Sequence, residues 1–202
     1  LAVLILFPLF MIAVTVHEVS HGLVALRLGD PTAQRAGRLT LNPFKHIDPI
    51  GTVVIPLLLL FLRAPFVFGW ARPVPINPMY LRNPKRDLLW VGAAGPAANF
   101  ALAAVTAAVL QWTEPLLPGW ALGALRYLVL VNLVLGTFNL LPIPPLDGSR
   151  ILTGLLPLPY ARYWLALERW GFVLVMLLLY VGLMDRFLWP AVLFFAELLG
   201  VR

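Results

Sequence analysis

Residues 1–28, LAVLILFPLFMIAVTVHEVSHGLVALRL, decide how the chain is read. The run is long enough to cross a hydrocarbon core, which takes about 20 mostly apolar residues. Yet it carries His17, Glu18 and His21 within one short stretch. Each ionisable group at membrane depth costs about 2.5–3.5 kcal/mol on insertion scales, so three together call for a compensating partner. Residues four apart share a helix face, so both imidazoles can reach one divalent cation with Glu18 beside it. Leu1–Val16 has no basic leader, and the segment reads as a membrane span rather than a cleaved signal.

The rest of the chain supports a membrane reading. Of its 202 residues, 61% are hydrophobic and 12% charged, against roughly 45–50% and 25% in soluble domains. Further spans are expected at Leu88–Trp112, Trp120–Leu141, Tyr163–Met184 and the shorter Phe187–Val201. Ile50–Phe68 is apolar but broken by Pro56, Arg63 and Pro65. There is no cysteine, which excludes disulfides and leaves His, Asp or Glu to hold any metal. The predicted fold is an all-α polytopic membrane protein in one domain, residues 1–202. It has about five to six transmembrane helices, a re-entrant loop and a short β-hairpin-like segment.

The formal charge of +6 could in a soluble protein indicate nucleic acid. Here nine of the 15 basic residues fall between Arg27 and Arg86, whereas Thr113–Gly119 has Glu114 and no Lys or Arg. The positive-inside rule explains this better: the basic connection is cytoplasmic, Thr113–Gly119 is outside, and no nucleic-acid partner is expected. Ile50–Phe68 must then begin and end on one side, by dipping and returning or by pairing with a second partial crossing. Arg38-Leu39-Thr40-Leu41 alternates polar and apolar as one arm of a re-entrant hairpin would, or is an ordinary interfacial loop.

A catalytic zinc uses three protein ligands and a water, so His17 and His21 need a third. The candidates are His46, in the basic connection, and Asp147, in NLLPIPPLDG (139–148). Asp147 lies just past the inner end of a span parallel to the first, at a depth matching His17 and His21. The prolines interrupt the helix, and broken backbone at membrane depth is tolerated only against protein or a wet cavity.

HEVSH on a first span, GAAGPAANF on the next and NLLPIPPLDG on the third together resemble the site-2 protease family of intramembrane zinc metalloproteases. LTLNPFKHIDPIGT and FGWARPVPINP resemble its compact prokaryotic members. The likeness covers about residues 1–155, with helices at about 160–202 as accessories. It implies one zinc on His17, His21 and Asp147, and Glu18 as general base. It also implies cleavage of transmembrane protein substrates near the cytosolic side of a bacterial cell membrane. Zinc lowers the pKa of a water towards about 7 and polarises a carbonyl, and a carboxylate such as Glu18 moves the proton.

Five further residues are candidates for holding substrate. Asn99 is read as a hydrogen-bond partner of substrate backbone or oxyanion, or its segment as small-residue helix packing. Asn139 either does the same or satisfies amides freed by the prolines. His46 either enters the cleft or is an interfacial histidine without a role. Thr40 and Leu41 would pair with an unwound substrate by strand addition. Two other function classes compete: a metal transporter and a catalytically silent binder of membrane proteins. A transporter needs ligands through both leaflets, but outside the motifs the spans offer Glu168 and Glu197 and no further histidine. Glu18 argues against a silent binder.

Overall fold

Prolines and short polar side chains set where the helices begin and end. The computed structural model describes residues 2–63, 69–182 and 184–201. Helix α1 (Ala2–Arg27) takes in Pro8 and ends before Gly29, whose φ of 112° reverses the chain. The buried Asp30 carboxylate then accepts the amides of Thr32 (2.9 Å) and Asn77 (2.6 Å). It thus starts α2 (Thr32–Arg35) and ties it to the far end of the basic connection.

Asp48 caps a π-helical turn at Pro49–Val54 through the amides of Ile50 and Gly51, and the turn runs into α3 (Ile55–Phe61). Helix α4 (Pro84–Thr113) begins with Asn83 as N-cap and Pro84 in its first turn; the Asp87 carboxylate returns to the Asn83 amide at 2.8 Å. That exchange satisfies amide donors no helix can satisfy for itself. Helix α5 (Gly119–Asn139) is followed by α6 (Asp147–Leu155), α7 (Leu158–Ala166), a 3-10 turn, α8 (Gly171–Tyr180), a second π turn at Met184–Leu188 and α9 (Trp189–Leu198).

Helix α4 is central and packs against α1, α5 and α6. Its small residues Ala103 and Ala107 meet Val129 and Leu133 of α5 and Leu188, Val192 and Ala196 near the C-terminus, with Phe100, Phe138 and Phe195 around them. Small side chains let membrane helices approach closely, where van der Waals contact rather than water exclusion drives association.

Among the described residues four helical segments are long and apolar enough to cross a membrane: Ile5–Arg27, Pro84–Thr113, Gly119–Asn139 and Leu158–Tyr180. The chain is therefore an all-helical, multi-pass membrane protein with fewer such segments than the five to six expected. The expected span at Phe187–Val201 is instead the end of a π turn and the ten-residue α9. With the π turn that runs into it, α9 makes 15 helical residues, 184–198, about 22 Å against a hydrocarbon core of about 30 Å, and α9 packs on the α4–α5 pair.

Residues 64–68 of the Ile50–Phe68 segment lie outside the described residues. The described residues at its start meet Trp70, two residues beyond it: the Trp70 amide donates to the Gly51 carbonyl (3.1 Å), and the Thr52 hydroxyl donates to the Trp70 carbonyl (2.8 Å). No strand forms among the described residues, and the expected hairpin arm at Arg38–Leu41 is irregular. Local bonds take groups a ladder would use, because the Arg38 amide bonds Ala33 and the Thr40 carbonyl accepts from His46.

The absence of cysteine makes single-Cys labelling clean. Cysteine at Thr40 and at Asn83 should react with impermeant reagent from the same side, and cysteine at Pro118 from the opposite one. Labelling of Thr40 and Asn83 from opposite sides would mean that the basic connection crosses the membrane.

Candidate metal centre

Four turns into α1, His17 and His21 turn one face towards α4, and both are buried. The third group arrives from α6. Its first residue is Asp147, and the next, Gly148, is pressed against the end of α5. A Cβ on Gly148 would fall 2.2 Å from the Leu140 carbonyl oxygen. The break at Pro142–Leu146 thus returns the chain to the metal level with no room for a side chain at the contact.

His17 Nε2 and His21 Nε2 lie 3.0 and 3.1 Å from Asp147 Oδ2, and 3.1 Å from each other. Each ring's other nitrogen faces an oxygen: His17 Nδ1 donates to Asn99 Oδ1, and His21 Nδ1 donates to the Val91 carbonyl, both at 2.6 Å. The partners assign the proton to Nδ1, so a neutral imidazole at each position turns its Nε2 lone pair inward. Two lone pairs and a carboxylate facing one another repel unless a cation lies between them. Ligands about 2.0–2.1 Å from a tetrahedral zinc stand roughly 3.3 Å apart, close to the spacing found. The donor set therefore fits zinc, and among the described residues these three form a group able to hold a metal.

Helix α4 supplies the floor. A Cβ on Gly95 would fall 2.4 Å from His21 Nε2 and 2.6 Å from His17 Nε2. Only glycine permits the donor atoms to approach that helix so closely. One turn later Asn99 is fully buried, and its amide is used within the protein. Oδ1 accepts from His17, while Nδ2 donates to the Ala13 carbonyl (3.3 Å) and to Asn132 Oδ1 (2.8 Å). Asn132 in turn donates to the Leu128 carbonyl. A flipped Asn99 would set an oxygen against two acceptors, so the network fixes which atom meets His17.

Glu18, half-buried and next to the first histidine, points elsewhere: its Oε2 accepts the Val74 amide at 2.8 Å. Arg150 Nη1 stands 3.5 Å from Asp147 Oδ1. The structure thus brings together His17, His21, Asp147 and Asn99, with Glu18 at the margin. It gives Asn99 partners other than the expected substrate or oxyanion, leaving the amide no spare donor.

Asn139 sits at the last turn of α5, where its Nδ2 donates to the Leu135 carbonyl. His46 is not in the metal group. It is buried within the basic connection, where Nε2 donates to Thr40 and its carbonyl accepts from Arg72. Thr40 is half-buried, and Leu41 is 69% exposed. Sequence reasoning missed Asn132, although a lone amide in the apolar run LVLVNLVLG was a usable signal, since such a group needs a buried partner. It also missed Val74, which acts through a backbone amide, and it read Gly95 only as part of a small-residue packing segment.

A buried His2Asp donor set beside a glutamate, with both histidines on a helix long and apolar enough to cross a membrane, fits a membrane-embedded zinc metalloprotease, and the relatives show that class. The model of Peptidase family M50 matches residues 117–178. YwhC of Bacillus subtilis strain 168 is 37% identical over 187 residues, 89% of this chain and 82% of its own. Rip2 of Mycolicibacterium smegmatis is 31% identical over 198 residues, 95% of this chain and 73% of its own. Both carry zinc-metalloprotease names. No solved structure matches the chain significantly. The chain belongs to peptidase family M50, the site-2 proteases, and zinc is its metal.

Gly95→Ala tests the floor of the site. It should lower zinc retention against a chelator by at least about tenfold, the scale seen when supports of metal ligands are removed. Gly123→Ala, where a Cβ meets nothing within 4 Å, should retain zinc as the parent does. Equal retention by both variants would refute the close approach.

Proposed function

We propose that His17, His21 and Asp147 hold the zinc and that Glu18 is the general base of an intramembrane endopeptidase. Its substrates are other membrane proteins, cut in or near their transmembrane segments, as in regulated intramembrane proteolysis. The observation that carries this is the inward convergence of His17 Nε2, His21 Nε2 and Asp147 Oδ2 within about 3 Å, with Glu18 next in sequence. Held by these residues, zinc would supply Lewis-acid chemistry to the scissile carbonyl and lower the pKa of a water towards neutrality. Glu18 takes the water's proton and passes it to the leaving amine. Asn99 and the Val91 carbonyl keep both imidazoles in the tautomer that offers Nε2. The basic connection faces the cytoplasm of a bacterial cell and places the site towards that side. Ile50–Phe68 re-enters from that side, a reading supported by the meeting of Gly51 and Trp70.

A substrate helix hides its peptide bonds within its own turns. Once unwound, its amides need partners that lipid does not offer. The irregular stretch Arg38–Leu41 meets that need by pairing with the extended substrate at Leu41, since His46 already occupies the Thr40 carbonyl. Leu41→Pro removes the donor and should slow cleavage with zinc content unchanged. Parent-like cleavage by this variant would exclude strand addition here. Asn139 stands beside the break before Asp147 and contacts the same substrate segment.

The principal test is cleavage of a single-span membrane protein in vesicles, with products mapped by mass spectrometry. Glu18→Gln should keep zinc and lose about 10²–10⁴-fold in rate, the usual worth of a positioned base. Asp147→Ala should lose zinc. Full activity of Asp147→Ala would mean that a different residue completes the metal site.

A further inference from the structure

The basic connection carries a feature that hydrolysis does not use. Arg38, Lys45 and Arg72 line a cavity of about 390 Å³ with Phe44, Pro73 and Pro75, and no acidic residue lines it. Arg38 is 8% exposed. One end of its guanidinium donates to the carbonyls of Arg72 and Pro73, but its Nε is buried without a partner. Burial and the neighbouring Arg72 lower the Arg38 guanidinium from its usual value, opposed by Glu18. Three cations are thus gathered with only carbonyls and the more distant Glu18 to offset them. Lys45 and Arg72 are exposed, but Arg38 is a buried cation with an unpartnered Nε. A buried charge without a matching ion is costly, and an oxyanion in the cavity would supply the match.

Depth and surroundings indicate which oxyanion. Leu39, next in sequence to Arg38, and Val74, between Pro73 and Pro75, reach Gly22 of α1, where a Cβ would fall 2.5 and 2.9 Å from their side chains. Gly22 lies five residues before the end of α1, about 7.5 Å along a helix of about 39 Å. A helix of that length centred on a hydrocarbon core of about 30 Å overhangs each face by about 4.5 Å, so Gly22 lies about 3 Å inside the boundary and the exposed rim of the cavity opens towards the headgroups. Phe44 on its rim is 78% exposed, and Leu41 in the same loop is 69% exposed. Apolar side chains suit acyl chains, while cations at that level attract anionic headgroups. We propose that this cavity binds the phosphate of an anionic phospholipid, and that occupancy braces Arg72–Pro75, the segment whose Val74 amide holds Glu18. The lipid site stands independently of the protease reading; the bracing of Glu18 rests on it.

Zinc-loaded protein in nanodiscs of mixed phosphatidylcholine and phosphatidylglycerol tests both parts. Native mass spectrometry should find phosphatidylglycerol retained well above its bulk share. Lys45→Gln and Arg72→Gln should each reduce that preference about fivefold, the scale of one cation at an anionic surface. Lys85→Gln with Arg86→Gln, outside the cavity, should not. Preference that survives in the cavity variants, or is lost equally in the Lys85/Arg86 variant, overturns the site. Cleavage of a single-span substrate should be faster with phosphatidylglycerol in the parent and independent of it in Lys45→Gln/Arg72→Gln. An equal lipid effect in both overturns the bracing. Stimulation by millimolar inorganic phosphate in pure phosphatidylcholine discs would assign the cavity to a free anion and overturn the lipid. Retained phosphatidylglycerol on a protein that cuts nothing would uphold the site and fail the protease reading instead.

Discussion

Two imidazole nitrogens and a carboxylate converge on one point among the helices, and a divalent cation between them would relieve their mutual repulsion. The surrounding helices are arranged to meet this constraint. Helix α1 brings the two histidines, the broken backbone after α5 brings Asp147, and α4 lies between them with a bare backbone at Gly95. None of the three contributions is stable alone. Three ionisable groups in the first span, without the third ligand and the metal, would each carry the full penalty of burial at membrane depth.

Asn99 and Asn132 show how the protein assigns a proton without a charge. An aspartate facing His17 Nδ1 would add a second buried anion to the site. The amide oxygen of Asn99 gives the same acceptor, and Asn132 and Ala13 hold that oxygen in place by taking both amide hydrogens. Supporting hydrogen bonds of this kind fix tautomer and ring orientation at metal sites. Their interhelical character also ties α1 to α4 and α5, so the bonds that orient the ligand also join the helices carrying the site.

How much was legible follows from where the information sits. HEVSH and LDG were readable because their spacing is a property of one helix and one turn. The apolar runs of α1, α4 and α5 were readable because lipid imposes length and composition directly. The C-terminal segment was less legible because a hydropathy run does not fix the length of its helix, which here is a π turn followed by the ten-residue α9. The Arg38–Leu41 alternation suggested a strand, but turn bonds to Ala33 and His46 took groups that a ladder would need. The partners of Asn99 were illegible because they depend on Asn132, distant in sequence. Gly95 was legible as part of a small-residue packing segment but not as the floor of the histidine pair, and Val74 was illegible because a backbone amide has no residue signature.

The position of Glu18 shows a division between rigid and adjustable parts of the site. The metal donors are buried and held by helices, whereas Glu18 is only half-buried and is held by an amide of the basic connection. That connection is irregular through Arg72–Pro75, with two prolines that donate no hydrogen bond, and it packs on α1 at Gly22. A shift of Val74 would release Glu18 without disturbing His17, His21 or Asp147. The convergence of His17, His21 and Asp147 therefore depends on helix packing, whereas the position of Glu18 depends on the seating of one loop against α1.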